Sequence, residues 1–191
     1  LNQIRALLEL KDPAVKMAAI RLVGVWQMKA CISMLADVAT EESEASIQIA
    51  AMQSLQEIGQ PSVSALARLV RSKNTGVRRQ AVICLAELNP QGAAKPFYQS
   101  LAEIQNEQEL LDFWRQVLVK KNTGKVLAKH IPSTGITEMA ALAGLTAARD
   151  AGRNEPELIA VISLYANVTK KAQELTPDRV AELIDLVEGS L

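Results

Sequence analysis

An internal repeat is the feature of this sequence that most restricts its fold. Three segments, beginning at Ala14, Ser46 and Gly76, align without gaps at offsets of 32 and then 30 residues. Residues four apart lie along one face of an α-helix, so each segment predicts an amphipathic helix whose central alanine lets a neighbouring helix approach closely. Each has an apolar, a small and a large residue at spacings of four: Val15, Ala19, Val23; Ile47, Ala51, Leu55; Val77, Ala81, Leu85.

A second apolar segment follows each of these helices after a short break, and polar loops separate one pair from the next. The pattern predicts an all-α chain that forms one domain over 1–191. In the fifth unit, Ala141 and Leu145 are expected at the small and large positions. The expected units are 1–41, 42–73, 74–105, 106–134 and 135–175, with a final helix over 176–190.

The composition agrees with a helical core and argues against several classes of protein. Apolar residues make up 49% of the chain and aromatic residues only 3%, whereas sheets favour β-branched and aromatic residues. The 21 basic residues balance the 21 acidic ones, so no net field attracts nucleic acid or a membrane surface. No uncharged apolar run reaches the length of a membrane span. Cys31 and Cys84 fall at apolar helical positions, where we expect buried thiols.

The repeat resembles the HEAT repeat, a pair of antiparallel helices. The resemblance implies a right-handed α-α superhelix, or HEAT-like solenoid, that serves as a scaffold rather than as an enzyme. It also implies that the residue at the basic position supports the inter-repeat loop, and that the second helices line a concave partner-binding surface. The matching residues are Asp12, Pro13, Val15, Lys16, Ala19, Val23 and Gly24 in the first copy, Ile47, Gln48, Ala51, Leu55 and Gly59 in the second, and Val77, Arg78, Ala81 and Leu85 in the third.

The C-terminal part carries a second resemblance. Residues 135–164 and 175–191 look like the segment that joins HEAT repeats to a c-type cytochrome domain in multidomain haem-binding proteins of planctomycete and related bacteria. This implies a spacer in a dehydrogenase–cytochrome c protein that transfers electrons in the periplasm. Haem c would be bound downstream, because the sequence has no C-x-x-C-H motif. The chain begins with Leu1 rather than Met, and we expect it to be part of a longer protein.

No residue pattern typical of a catalytic or metal site is present in the sequence. The chain lacks a G-x-S-x-G motif, a phosphate-binding glycine loop and the spacing of zinc ligands. His130, the single histidine, is expected at the end of a helix, where a cation is favourable. The carboxylates within 41–44 fall in a polar loop and are expected to be solvated. We therefore expect no catalytic, cofactor-binding or metal-binding residue in this segment.

Basic residues cluster in two stretches that contain no acidic residue, between Glu57 and Glu87 and between Asp112 and Glu138. Stacked repeats would bring the two stretches within one or two units of each other. They could form an interaction ridge for an acidic protein or a neighbouring domain of the same chain. The alternative is a solvated face crossed by salt bridges. The predicted ridge consists of Arg68, Arg71, Lys73, Arg78, Arg79, Arg115, Lys120, Lys121, Lys125 and Lys129.

Two other functions stay open at the level of sequence. One is a stand-alone HEAT adaptor, which would be cytoplasmic. The other is a glycosylase for DNA-alkylation repair, which needs a basic groove with aromatic side chains and a catalytic carboxylate. Zero net charge and few aromatic residues make nucleic acid the less favoured partner. We expect Phe113 and Trp114 to fill the core, and Trp26 to cover the N-terminal end of the stack.

Overall fold

The computed structural model describes residues 2–151 and 155–166. Within these residues the chain is built from α-helices and short 3-10 turns, with no β-strand. The predicted final helix over 176–190 and the end of the predicted fifth unit lie outside the described residues.

The described helices alternate along the chain with short turns and loops. Two 3-10 turns, Lys29–Cys31 and Gln60–Ser62, lead into α3 and α5. The helices are α1 (Asn2–Glu9), α2 (Pro13–Val25), α3 (Ile32–Glu41), α4 (Ala45–Ile58), α5 (Val63–Leu69), α6 (Thr75–Leu88), α7 (Pro90–Ala102), α8 (Glu107–Val117), α9 (Thr123–Lys129), α10 (Glu138–Asp150) and α11 (Pro156–Ser163).

The helices pack in two layers. The first-helix layer contains α2, α4, α6, α8 and α10, each in contact with the next. The second-helix layer contains α3, α5, α7, α9 and α11, and its members pack on one another or on the first helices beside them. The extensive helix contacts join elements of the same pair or of adjacent pairs. The protein is therefore an all-α solenoid, which confirms the predicted fold class.

Side-chain caps start the first helices at a regular interval. Asp12 Oδ1 accepts a hydrogen bond from the Ala14 amide at 2.9 Å, and Asn74 Oδ1 accepts one from the Gly76 amide at 2.9 Å. Asn106 and Thr137 cap α8 and α10 in the same way. With Glu44, which precedes α4 without such a bond, the N-cap positions recur every 30 to 32 residues. Residues with a side-chain cap therefore recur with the same period in four of the five units, and such residues favour the start of a helix.

The seventh residue after each cap lies where adjacent first helices meet. It is Ala19, Ala51 and Ala81 in the first three units, and all three are buried, as the sequence predicts. In the fifth unit the seventh residue is Gly144, so the predicted register at Ala141 is shifted by three residues. A Cβ on Gly144 would lie 2.9 Å from Cε2 of a tryptophan in α8, which shows how close the two helices are.

The fourth unit replaces the small residue with Phe113, and an aromatic cluster fills the space. The Phe97 ring packs edge-on against Trp114, with centroids 4.7 Å apart, and stacks on Phe113 at 5.2 Å. Trp114 is fully buried, and its indole N–H donates to the carbonyl oxygen of Ala140 at 3.0 Å. These contacts confirm that Phe113 and Trp114 fill the core between repeats. Extra bulk in α8 is thus matched by the missing side chain in α10.

Trp26 does not cover the end of the stack, so that expectation is wrong. Its side chain is 63% exposed. The chain turns sharply there because Gln27 adopts a left-handed conformation with a φ of 47°. Helix α1 covers this end instead, with Ile4 and Leu8 buried in the core.

Overpacking at Ala81 tests the stacking of the first helices. Ala81→Leu inserts a larger side chain where Ala81 is 0% exposed, so we expect it to destabilise the protein by about 1–3 kcal/mol. Chemical denaturation measures the change. Ala102→Leu is the control, because Ala102 is exposed at the end of α7 and the same substitution should have little effect there. Equal stability of Ala81→Leu and the wild type would contradict the close packing of α6 against its neighbours.

Candidate protein-interaction surface

In each of the first three units, the residue at the basic position of the repeat contacts a loop between repeats. The Arg78 guanidinium donates to the carbonyl oxygen of Ser72 at 2.8 Å, and the Gln48 amide donates to that of Glu42 at 2.6 Å. Both bonds reach back six residues along the chain. In the first unit, Lys16 Nζ contacts Glu42 Oε2 at 2.5 Å. Arg78 thus has the loop-supporting role that the repeat signature implies, and Gln48 substitutes for a basic residue in the second unit.

Half of the predicted ridge is engaged within the solenoid. Arg115 binds Asp150 through Nε at 3.0 Å and Nη2 at 2.5 Å, and Lys125 pairs with Glu157 at 3.1 Å. Arg79 pairs with a carboxylate on the next first helix. These three ion pairs link neighbouring units, as the salt-bridged alternative expects. The engaged residues and their partners are Arg78 with Glu103, Arg79 with Glu109, Arg115 with Asp150, Lys120 with the Glu87 carbonyl oxygen, and Lys125 with Glu157.

The other half of the predicted ridge is exposed and makes no side-chain hydrogen bond or ion pair within the described residues. Arg68 lies near the end of α5, and Arg71 and Lys73 follow it. Lys121 precedes α9, and Lys129 is its last residue. The unpaired cations therefore form two groups on the second-helix layer, with α7 between them, rather than one continuous ridge.

The grooves on the second-helix side of the solenoid change charge from its N-terminal end onward. The groove between α1 and α3 is lined by four carboxylates, those of Glu9, Asp37, Glu41 and Glu42, against Arg5 and Lys16. The groove between α3 and α5 has Asp37 against Arg68 and Arg71. The groove between α5 and α7 has only cations, Arg71 and Lys95. The surface therefore runs from acidic at its N-terminal end to basic at α5 and α7.

Lys95 was missed at the level of sequence. It stands alone between Glu87 and Glu103, so it belongs to no cluster of basic residues along the chain. The structure places it in the same groove as Arg71, one repeat earlier in sequence. Aligning the second helices, rather than counting charges along the chain, would have brought the two residues together.

His130 lies where the sequence predicts it. It follows α9 directly, and its Nδ1–H donates to the Val126 carbonyl oxygen at 2.8 Å. The side chain is exposed. Among the described residues no group of His, Cys, Asp and Glu is arranged to hold a metal ion.

Both cysteines are buried, free thiols, as predicted. Cys31 and Cys84 are each 0% exposed. Burial raises the pKa of the Cys84 thiol to about 11, so little thiolate forms at neutral pH. They pack as small hydrophobic side chains of the core.

The fold and its surface define an α-solenoid whose repeats are paired helices. The family model for HEAT repeats matches residues 1–86 and, in a second placement, 32–108, which together cover more than half of the chain. The chain belongs to the HEAT-repeat family. No curated protein and no solved structure matches it. Membership of this family indicates a protein-interaction scaffold. Among the described residues, no helix is both long and apolar enough to cross a lipid bilayer.

The Lys16–Glu42 contact predicts a pH-dependent part of the stability. The hydrogen bond from Lys16 holds the pKa of Glu42 below the usual value, which is about 4.3 in an unfolded chain. A carboxyl with a lowered pKa stabilises the fold above the unfolded value, and this contribution is lost as the pH falls through the folded value. We expect Glu42→Gln to be less stable than the wild type at neutral pH, and the difference to be smaller at about pH 3, below the unfolded value.

Urea denaturation at the two pH values measures this difference. Glu41→Gln is the matched control, because Glu41 is exposed and makes no side-chain bond among the described residues. A stability difference for Glu42→Gln that stays the same at both pH values would show that the ion pair is not its cause.

Proposed function

We propose that this solenoid is a non-catalytic scaffold that holds an acidic protein partner, or a neighbouring domain of the same chain, against its second-helix layer. The observation that carries the proposal is the placement of the unpaired cations. Arg79 and Arg115 of the first-helix layer are engaged with carboxylates of adjacent units. Arg68 in α5, Arg71 just after it and Lys95 in α7 make no such bond within the described residues and stay available to a partner.

Two surface carboxylates, those of Glu42 and Glu157, are ion-pair partners rather than candidates for acid–base chemistry. A general acid needs a pKa raised by burial or by a like charge. The pKa values of Glu42 and Glu157 are instead lowered, chiefly by hydrogen bonds from Lys16 and Lys125. These groups are ionised structural partners at neutral pH.

The placement of aromatic residues makes the DNA glycosylase the weaker candidate. That function needs aromatic side chains on the basic surface to stack against bases. Phe97, Tyr98, Phe113 and Trp114 are all buried in the core. Trp26 is exposed, but it lies at the turn after α2, away from the α5–α7 groove. A stand-alone adaptor would use the same binding surface. It differs from a spacer domain only in having no neighbouring domain in the same chain.

The finer form of the proposal is a spacer in a haem-binding dehydrogenase–cytochrome c protein of the periplasm. It rests on the sequence resemblance of residues 135–164 and 175–191, part of which lies outside the described residues. In that role the array would set the distance between an oxidising domain and a haem domain. The haem ligands would belong to another domain of the parent chain.

The spacer role predicts a haem-attachment motif in the downstream part of the gene. We expect a C-x-x-C-H motif encoded within a few tens of residues after Leu191, because a c-type haem is attached through that motif. Sequencing the parent gene beyond this point tests the expectation. If the downstream sequence lacks the motif, the cytochrome link is wrong. The scaffold proposal is unaffected, because it rests on the placement of the unpaired cations.

Site-specific photo-crosslinking tests the scaffold proposal. A photoreactive residue at Ser33 in α3 or Ser64 in α5 should capture the partner in cells that express the natural gene, because both positions are exposed on the second-helix layer. The matched positions are Gln53 in α4 and Gln116 in α8, which are exposed on the first-helix layer. Mass spectrometry identifies the crosslinked species. Crosslinks that form equally from both layers, or only from the first, would contradict the proposal.

A further inference from the structure

The groove between α5 and α7 differs from its neighbours in charge. Its volume is about 440 Å³, within the range of clefts that hold small ligands or short peptide segments. Arg71 and Lys95 both line it, and none of the described residues along it is acidic. Two unpaired cations in one groove repel each other, and an anionic group between them removes that repulsion. The groove therefore favours an anionic occupant.

A backbone acceptor lies in the same groove. Pro96 is inside α7 and has no N–H, so it cannot donate to the carbonyl oxygen of Gly92, four residues earlier. Gly92 and Pro96 both line the groove, and Gly92 is exposed. The Gly92 carbonyl thus lacks its usual helical donor in a residue that lines the groove. A ligand that offers an N–H beside its negative charge would satisfy both features.

From this combination we propose that the α5–α7 groove binds an acidic peptide segment of the partner, with carboxylates on Arg71 and Lys95 and a backbone N–H donating to the Gly92 carbonyl oxygen. The proposal rests on the proposed scaffold function and assigns its contact site. The phosphodiester backbone of DNA has no N–H or O–H donor, so it matches the charge of Arg71 and Lys95 but offers nothing to the Gly92 carbonyl oxygen. Ala67 and Val70 add an apolar wall beside α5 for the peptide chain.

A binding titration with a defined probe tests the site. The probe is a fluorescein-labelled peptide of five Glu-Gly repeats, followed by fluorescence anisotropy with the full chain at low salt. We expect saturable binding that weakens in about 0.15 M salt, because the anchors are charge pairs. The Arg71→Gln/Lys95→Gln variant should bind at least about tenfold more weakly, since both anchors are lost. No saturable binding by the wild type overturns the proposal.

A matched variant separates this groove from a general effect of charge. Arg21→Gln/Lys11→Gln removes the same two charges from exposed positions outside the groove. We expect its affinity for the probe to stay within about twofold of the wild type. If both double variants weaken the affinity for the probe equally, the assignment of this groove as the binding site is wrong. Thermal melts should be unchanged for both, because all four side chains are exposed.

A second peptide tests the contact with the Gly92 carbonyl. A fully N-methylated form of the probe, with sarcosine in place of glycine and N-methylglutamate in place of glutamate, has no backbone N–H donor, while its carboxylates stay. We expect binding weakened by about threefold to tenfold, which corresponds to one lost hydrogen bond. Equal binding of the two peptides would show that the groove reads charge alone and would overturn the peptide assignment.

Competition and sedimentation distinguish the remaining occupants. Tripolyphosphate and duplex DNA are tested as competitors of the probe. If either displaces the probe as effectively as unlabelled peptide does, the groove is a general phosphate site and the proposal is wrong. Sedimentation tests for a dimer. If the wild type is a dimer and the Arg71→Gln/Lys95→Gln variant is a monomer, the occupant is the acidic α1–α3 groove of a second copy, and the peptide proposal is wrong. If the probe fails to bind but crosslinks persist from Ser33 and Ser64, the scaffold function stands and only this site is wrong.

Discussion

The close approach of consecutive first helices is the constraint on which the rest of this structure depends. Helices without a large residue at the crossing can pack with their backbones near each other. Ala19, Ala51 and Ala81 provide that space, and Gly24 provides it again at the end of α2, where an added Cβ would lie 2.9 Å from the Ser54 hydroxyl. Because each unit buries its apolar stripe only against its neighbours, this contact decides whether the array forms.

Polar bonds between units follow from the same approach. The Ser54 hydroxyl donates to the Ile20 carbonyl oxygen at 2.9 Å, and the Tyr98 hydroxyl donates to that of Leu127 at 2.8 Å. Both bonds are buried and span about one repeat. A buried hydroxyl without a partner is costly, so such bonds favour one alignment of adjacent units over others. Small residues bring the units together, and these bonds specify how they align.

The charges of the protein divide into a structural set and an available set. Arg79, Arg115 and Lys125 bind carboxylates one unit away and so belong to the stack. Arg71 and Lys95 lie in a groove that no described acidic residue lines. Zero net charge for the whole chain therefore hides a surface that changes from acidic to basic along the second-helix layer. Local field, rather than net charge, is what a docking partner meets.

Sequence alone determined the helix pairs, their period and the buried alanines, because spacing along one helix is a local property that a single chain displays. It also placed Arg78 at a loop-bracing position and Trp114 in the core. Only the tertiary structure decided which cations are available, because the partners of Arg115 and Lys125 come from other units. It likewise shifted the small position of α10 to Gly144, set by the bulk of a tryptophan in α8. Contacts between repeats depend on how two helices pack, and that geometry cannot be derived from the sequence of either helix alone.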